Sequence, residues 1–139
     1  MFIPPWLKVY GDVDYRNKRC KKERVDQMDF MSWVARNYPE YYPLVFHPKM
    51  EGKRNMFQQM LDKKMGSMKA GVADVVAIGF PCLVMELKRA DHKESYWSDG
   101  QLAFLERASK AGAYTCLALG FEGAKAAFSD WVELQDAVK

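Results

Sequence analysis

The stretch from residue 71 to residue 88 constrains the fold most, because two short apolar segments follow each other with only Gly79-Phe80-Pro81 between them. Residues 74–78 and 82–88 are rich in β-branched and aliphatic side chains, a composition typical of buried strands. A short connection containing Gly and Pro cannot accommodate a crossover, so it joins neighbouring strands that run in opposite directions. The stretch therefore predicts an antiparallel hairpin.

The register of this hairpin brings charged side chains together. A three-residue connection pairs Val76 with Val84 and places Asp74 opposite Glu86, with Cβ atoms roughly 5 Å apart. Side chains alternate along a strand, so Lys88 shares a face with Glu86. The opposite face carries three apolar side chains: Leu83, Met85 and Leu87.

Two carboxylates facing each other on an apolar hairpin repel, and this costs stability unless a cation lies between them. Oxygen ligands of this kind suit a divalent ion such as Mg²⁺. An amine beside the ion can hold a water molecule or a phosphate oxygen, which is what cleavage of a phosphodiester bond needs. Glu-X-Lys on a strand also describes an exposed ion pair that contributes at most about 1 kcal/mol.

Asp74 followed by Glu86-Leu87-Lys88 resembles the Asp…(Asp/Glu)-X-Lys signature of the PD-(D/E)XK nuclease superfamily. Further matches in order resemble its VRR-NUC branch, the virus-type replication-repair nucleases, over roughly residues 23 to 135. These matches are the segments 47–55 (His-Pro-Lys-Met-Glu-Gly-Lys-Arg-Asn) and 69–74 (Lys-Ala-Gly-Val-Ala-Asp), then Gln101 and Gly112-Ala113-Tyr114. Ala73 replaces the proline that the family has before Asp74.

This resemblance implies an α/β fold with a restriction-endonuclease-like αβββαβ core, in which helices flank a mixed central sheet. The nuclease domain then spans residues 21–139, and residues 1–20 form an N-terminal arm. Apolar spacing and breakers predict helices over 22–38, 55–65, 98–111 and 122–138, with strands over 42–47 and 114–119. Phe57, Met60, Leu61 and Met65 are expected to form the apolar, core-filling face of the second helix.

The resemblance also implies the catalytic residues. Asp74 and Glu86 are expected to ligate Mg²⁺ or Mn²⁺, helped by the Leu87 carbonyl and, through water, by Glu23. Lys88 is expected to complete the site. As an acid in the first helical turn, Glu23 is also explained by the helix dipole alone.

Gln101 is implied as the residue that orients Lys88 or the attacking water. It has a second explanation, since Ser98-X-X-Gln101 is a capping box. His92 is a conceivable base, but a surface histidine is the simpler interpretation. Contacts with DNA are assigned to five basic residues: Lys49, Lys53, Arg54, Lys69 and Arg89.

Charge is distributed unevenly along the chain. Residues 1–69 hold fourteen Lys or Arg and eight Asp or Glu, whereas residues 70–139 hold seven and ten, within a net charge of +3. The basic half contains the run from Arg16 to Arg24, which suits a phosphate backbone or a solvated charged face. No apolar run approaches the ~20 residues that span a membrane, so we expect a cytoplasmic protein. The three cysteines form no Cys-X-X-Cys pair, so we expect neither a zinc site nor a disulfide framework.

The function predicted from these residues is a metal-dependent, structure-specific DNA endonuclease that resembles Holliday-junction resolvases. Two symmetric cuts need two sites, so a homodimer acting on branched DNA is expected. The alternatives are a flap- or end-directed nuclease, a restriction-type enzyme, or a non-catalytic DNA-binding module with the same fold. The expected dimer surface is the N-terminal arm or the exposed aromatic residues near it, Trp6, Tyr10 and Tyr15. The alternative is that the arm packs against its own subunit.

Overall fold

The computed structural model describes residues 1–48, 55–66 and 71–138. Within these ranges the chain forms five strands and four α-helices, in the order β1 (Lys8–Tyr10), α1 (Glu23–Asn37), β2 (Val45–Phe46), α2 (Met56–Met65), β3 (Val75–Ala77), β4 (Leu83–Lys88), α3 (Gln101–Lys110), β5 (Tyr114–Leu119) and α4 (Gly120–Ala137). A 3₁₀ turn over Tyr42–Leu44 takes up half of the strand predicted for residues 42–47.

The five strands form one sheet in the order β1-β5-β4-β3-β2. β4 runs parallel to β5 and antiparallel to β3, so the sheet is mixed. β4 is the middle strand, and all six of its residues are buried. A mixed sheet flanked by helices confirms the predicted fold class.

The predicted hairpin is present, and its register is the expected one, with Val76 paired with Val84. β3 begins at Val75, so Asp74 lies immediately before the strand. Continuing the same register by one pair places Asp74 opposite Glu86. The hairpin register is therefore the one that the sequence predicted.

Side-chain alternation gives the sheet two different faces. On one face, Met85 and Leu87 pack with α1 and α4 around Phe128 in the larger apolar cluster. On the other face, Val84 packs with Leu105 of α3 in a smaller cluster. Glu86 and Lys88 follow Val84 at intervals of two, so they lie on the α3 side of the sheet.

The N-terminal arm packs on its own chain. Its strand β1 pairs in parallel with β5, with Val9 opposite Leu117, and Leu7 is buried in the smaller cluster. Three strand residues that follow two prolines are too few to show a period, so the sequence alone did not predict this strand. Burying Leu7 covers part of the apolar surface that suggested a second subunit.

The helices α1 and α2 differ in how much of their apolar surface is buried. The buried stripe of α1 runs through Asp26, Phe30 and Val34, and Met28 is 56% exposed. The prediction that α2 fills the core with its apolar side chains is wrong for the described chain. These side chains are all exposed: Met56, Phe57, Met60, Leu61 and Met65. Amphipathic spacing indicates a helix, but it does not say what the apolar face contacts.

Helix α2 nevertheless begins and ends as predicted. Asn55 and Gln58 form a reciprocal capping box, and Gly66 ends the helix with a positive φ of 78°. Across residues 1–48, 55–66 and 71–138, we find no helix that combines the length and apolarity required to span a bilayer.

Asp26 provides a pH test of the packing between α1 and α4. Burial raises its pKa above the ordinary value, although Lys21 and the Phe121 backbone N–H partly offset the effect. Between the ordinary and the raised pKa the folded protein binds more protons than the unfolded chain, so the unfolding free energy falls as pH rises through that interval. Asp26→Asn lacks this titration. We expect it to gain stability relative to the unsubstituted protein as pH rises above the ordinary carboxyl pKa of about 4, as measured by urea unfolding at a series of pH values. Parallel pH profiles for the two proteins would contradict this account.

Candidate active site

The candidate site lies where β4 ends, on the face of the sheet that α3 covers. Glu86 is 1% exposed and Lys88 is 5% exposed. Burying a carboxylate and an amine on the middle strand costs several kcal/mol per ion before any partner compensates. The fold therefore has to supply specific contacts to both groups.

Gln101, the first residue of α3, supplies contacts to both. Its Oε1 accepts hydrogen bonds from Lys88 Nζ at 3.2 Å and from the Ser98 backbone N–H at 2.8 Å. Its Nε2 donates to Glu86 Oε1 at 3.1 Å. The buried Gln101 amide thus connects Glu86 with Lys88. Because the amide oxygen accepts and the amide nitrogen donates, these contacts fix the orientation of the amide group.

Both explanations of Gln101 from sequence are visible in this geometry. The bond from the Ser98 backbone to the Gln101 side chain is one half of the capping box. The other half is missing, because Gly100 with φ of 85° is the N-cap and no side chain caps the helix. Gln101 therefore anchors the start of α3 while it contacts Glu86 and Lys88.

The amine of Lys88 has a second acceptor in the loop that follows β4. Lys88 Nζ donates to the Tyr96 backbone carbonyl at 2.9 Å. A turn closed by Ser95 N–H on the His92 carbonyl, at 3.0 Å, folds this loop back toward the strand. The sequence alone did not predict that residues 92–96 hold Lys88. The signal that was available is positional, since any chain leaving the end of β4 must pass beside Lys88.

Asp74 is held from both its backbone and its side chain. Its Oδ2 accepts the Leu87 backbone N–H at 2.8 Å, and its carbonyl contacts His47 Nδ1 at 2.6 Å. His47 comes from the segment after β2, so two neighbouring strands fix the position of Asp74. The sequence places His47 in one of the matching segments but does not predict its contact with Asp74.

An open pocket of about 320 Å³ lies in front of Glu86, Lys88 and Gln101, and Asp74 is not part of its lining. It brings Glu23, from the first turn of α1, to the same cavity as Glu86, Lys88 and Gln101. The rest of its lining comes from the β4–α3 connection: Glu94, Ser95, Tyr96 and Ser98. A pocket of this size and polarity admits a hydrated ion and a phosphate group.

The donor set fits a hydrated magnesium ion. Asp74 and Glu86 supply carboxylate oxygens at neighbouring positions, and Leu87 supplies a carbonyl in the same strand. Within residues 1–48, 55–66 and 71–138, no three His, Cys, Asp or Glu side chains are close enough to enclose a metal. Mg²⁺ characteristically uses one or two carboxylates and keeps several waters, so two acids on adjacent strands are sufficient. Glu23 lines the same pocket as Glu86.

Gly71 connects the loop before Asp74 to the start of α3. It has φ of +76°, and a Cβ at this position would lie 2.2 Å from the carbonyl carbon of Gly100 and 2.5 Å from the Gln101 backbone nitrogen. Only glycine allows this approach. The segment that carries Asp74 therefore rests directly on the residue that contacts Glu86 and Lys88.

The residues predicted to contact DNA are mostly beyond what the structure describes. Lys49, Lys53, Arg54 and Lys69 lie outside the described residues. Arg89 is partly buried, and its Nη2 donates to the carbonyls of Lys18 and Cys20. It therefore ties the basic segment to the end of β4, and its contact with DNA stays a prediction.

His92 is buried, so the surface position expected for it is wrong. It is 5% exposed, and its Nε2 contacts the Val13 carbonyl at 2.9 Å. It does not line the pocket described above. The contact with residue 13 places His92 beneath the N-terminal arm, which the local sequence cannot indicate.

One solved structure, described as a VRR_NUC domain protein, aligns with this chain with a TM-score of 0.67. The alignment covers 84% of this chain and 92% of the other, at 21% sequence identity. The chain has the VRR-NUC fold. No family model matches the sequence, and no curated protein matches it. The resemblance stated from residues 47–114 is therefore confirmed at the level of the fold.

Gly71→Ala tests whether the VRR-NUC core needs the close contact beneath the site. Gly66→Ala is a matched control, because Gly66 has nearly the same φ of +78° but a Cβ at that position would have no neighbour within 4 Å. Both substitutions carry the strain of a left-handed residue, about 1 kcal/mol. Gly71→Ala must also move Gly100 and Gln101, so we expect it to lower the melting temperature more than Gly66→Ala does. Equal melting temperatures for the two variants would show that the contact carries no strain.

Proposed function

We propose that this protein is a divalent-metal-dependent DNA endonuclease that hydrolyses phosphodiester bonds, with a preference for branched DNA like that of Holliday-junction resolvases. The observation that carries the proposal is the pair of buried charges on β4, Glu86 and Lys88, joined by Gln101 and open to a polar pocket. A purely structural ion pair does not need a neighbouring cavity. A site that receives a phosphate group does.

Asp74, Glu86 and the Leu87 carbonyl would hold Mg²⁺ or Mn²⁺, and Glu23 would act through water. An ion held there would make a water molecule easier to deprotonate and would offset negative charge on the phosphate. Lys88 donates hydrogen bonds and positive charge to the phosphate oxygens as that charge develops. Gln101 holds the lysine amine in place and fixes the side of the Glu86 carboxylate that it touches.

DNA is the proposed substrate because basic side chains, which suit a phosphate backbone, are concentrated in one half of the sequence. Residues 1–69 carry most of the basic side chains, and the exposed segment from Arg16 to Arg19 lies on the surface. Arg89 ties this segment to the end of the catalytic strand. Such contacts supply affinity without reading sequence, which suits an enzyme that recognises the shape of DNA.

Glu86→Gln tests the catalytic role of the buried carboxylate. We expect it to abolish cleavage of labelled DNA in Mg²⁺ while DNA binding and folding are retained, because the substitution removes a metal ligand but keeps the side-chain volume. Asp26→Asn is a matched control, since it also converts a buried acid to an amide but lies outside the pocket.

Asp74→Ala and Lys88→Ala are expected to give the same loss of cleavage, read on the same gel after circular dichroism has established folding. Cleavage by Glu86→Gln at the rate of Asp26→Asn would leave the chain as a DNA-binding module whose charges are structural.

The homodimer predicted from sequence is retained as part of the proposal. The arm uses Leu7 and part of Ile3 on its own chain, but Phe2 is 70% exposed and Trp6 is 45% exposed. We expect light scattering at micromolar concentration to give twice the chain mass, and four-way junctions to be nicked symmetrically on two strands. A monomer mass together with cuts on one strand would overturn the paired-cut proposal and leave the metal chemistry as it stands.

A further inference from the structure

The contact of Lys88 with Trp97 has no part in the proposed mechanism. Lys88 Nζ lies over the indole ring of Trp97, 5.5 Å from the ring centroid. A cation over an aromatic face is attracted to the ring, and the attraction is stronger when water is excluded. Lys88 is 5% exposed, so the ring is a substantial part of the surroundings of the amine.

The three contacts of Lys88 come from different directions. Gln101 approaches from α3, the Tyr96 carbonyl approaches from the loop after β4, and the Trp97 ring borders the amine as well. Two hydrogen bonds leave one N–H of an ammonium group for another acceptor. The Trp97 ring attracts the charge and limits where the amine can move, so it helps to fix the position from which the remaining N–H points.

Trp97 is itself held in place by the N-terminal arm. Its Nε1 donates to the Phe2 carbonyl at 2.7 Å, and its ring packs on the smaller apolar cluster, which includes Leu7 and Leu105. The indole therefore cannot rotate away from Lys88 without breaking a hydrogen bond and exposing apolar surface. Through this side chain the arm reaches the surroundings of the Lys88 amine.

We infer that Trp97 is a positioning residue for Lys88, and that the N-terminal arm fixes it through the Phe2 carbonyl. The inference rests on the proposed function, because the lysine needs a fixed direction only if it acts on a phosphate group. It assigns the arm a role in the chemistry in addition to completing the sheet with β1. Trp97 does not touch the reacting atoms in this account.

Phe104 is the matched control for Trp97. It is an aromatic side chain, also partly buried against the smaller cluster, whereas the ring that Lys88 contacts is that of Trp97. Trp97→Leu and Phe104→Leu each replace an aromatic group in this cluster with an aliphatic one. Trp97→Phe keeps an aromatic face beside Lys88 and removes the indole N–H that bonds to Phe2.

The first measurement is the single-turnover cleavage rate at saturating DNA and Mg²⁺. We expect Trp97→Leu to lower this rate about fivefold or more, with the Kd for DNA unchanged, because the amine is misdirected and the binding surface is intact. Trp97→Phe is expected to give a rate between those of Trp97→Leu and the unsubstituted protein, because it keeps an aromatic face but loses the bond that holds the ring to the Phe2 carbonyl. Phe104→Leu is expected to match the unsubstituted protein. A rate for Trp97→Phe equal to that of the unsubstituted protein would overturn the role given to the Phe2 contact. Equal rates for Trp97→Leu and Phe104→Leu would overturn the inference.

The second measurement does not depend on activity. In protein with ¹³C-labelled lysine, the ε-methylene protons of Lys88, assigned by their loss in Lys88→Arg, are expected upfield of those of other lysines because they lie over the indole ring. The shift should vanish in Trp97→Leu and persist in Phe104→Leu. Unshifted Lys88 resonances in the unsubstituted protein would refute the contact. A shifted resonance in a protein that cuts no DNA would instead retain the contact and refute the proposed function.

Discussion

The bridge that Gln101 makes between Glu86 and Lys88 is the contact on which the rest of the site depends. Two charged side chains are buried on the middle strand of a sheet, and their desolvation is tolerated only because polar partners meet them there. Gln101 can reach both because α3 starts directly over β4. That start is in turn set by Gly100 and by the close approach of Gly71.

The two faces of the sheet bury different kinds of side chain. The face covered by α1 and α4 is a continuous apolar core that contains Phe30, Phe128 and Trp131. The other face has a smaller apolar core, and the end of β4 on that face carries Glu86 and Lys88. Burial of apolar surface in the larger core stabilises the fold, and this stability offsets the cost of burying charged side chains on the other face.

Much of the site could be predicted because it depends on local sequence. The turn at residues 79–81 sets the hairpin register, and the period of two then places Asp74, Glu86 and Lys88 on one face. Gln101 was found through its place in a motif. The Trp97 contact could not be predicted, because it depends on an arm that is distant in sequence and enters the sheet beside β5. The surface position predicted for His92 is wrong for the same reason, since His92 is buried by its contact with the arm. The exposed apolar face of α2 shows that periodicity predicts a helix but not what the helix packs against.

The central claim is that these buried charges cut DNA with the help of a divalent ion. The most direct measurement is a gel assay of end-labelled four-way junction, flap, fork and duplex substrates, each with Mg²⁺, with Mn²⁺ and with EDTA. The account predicts cleavage that requires either ion, is absent in EDTA and is strongest on the four-way junction. Binding of these substrates without cleavage of any of them in either ion would contradict it.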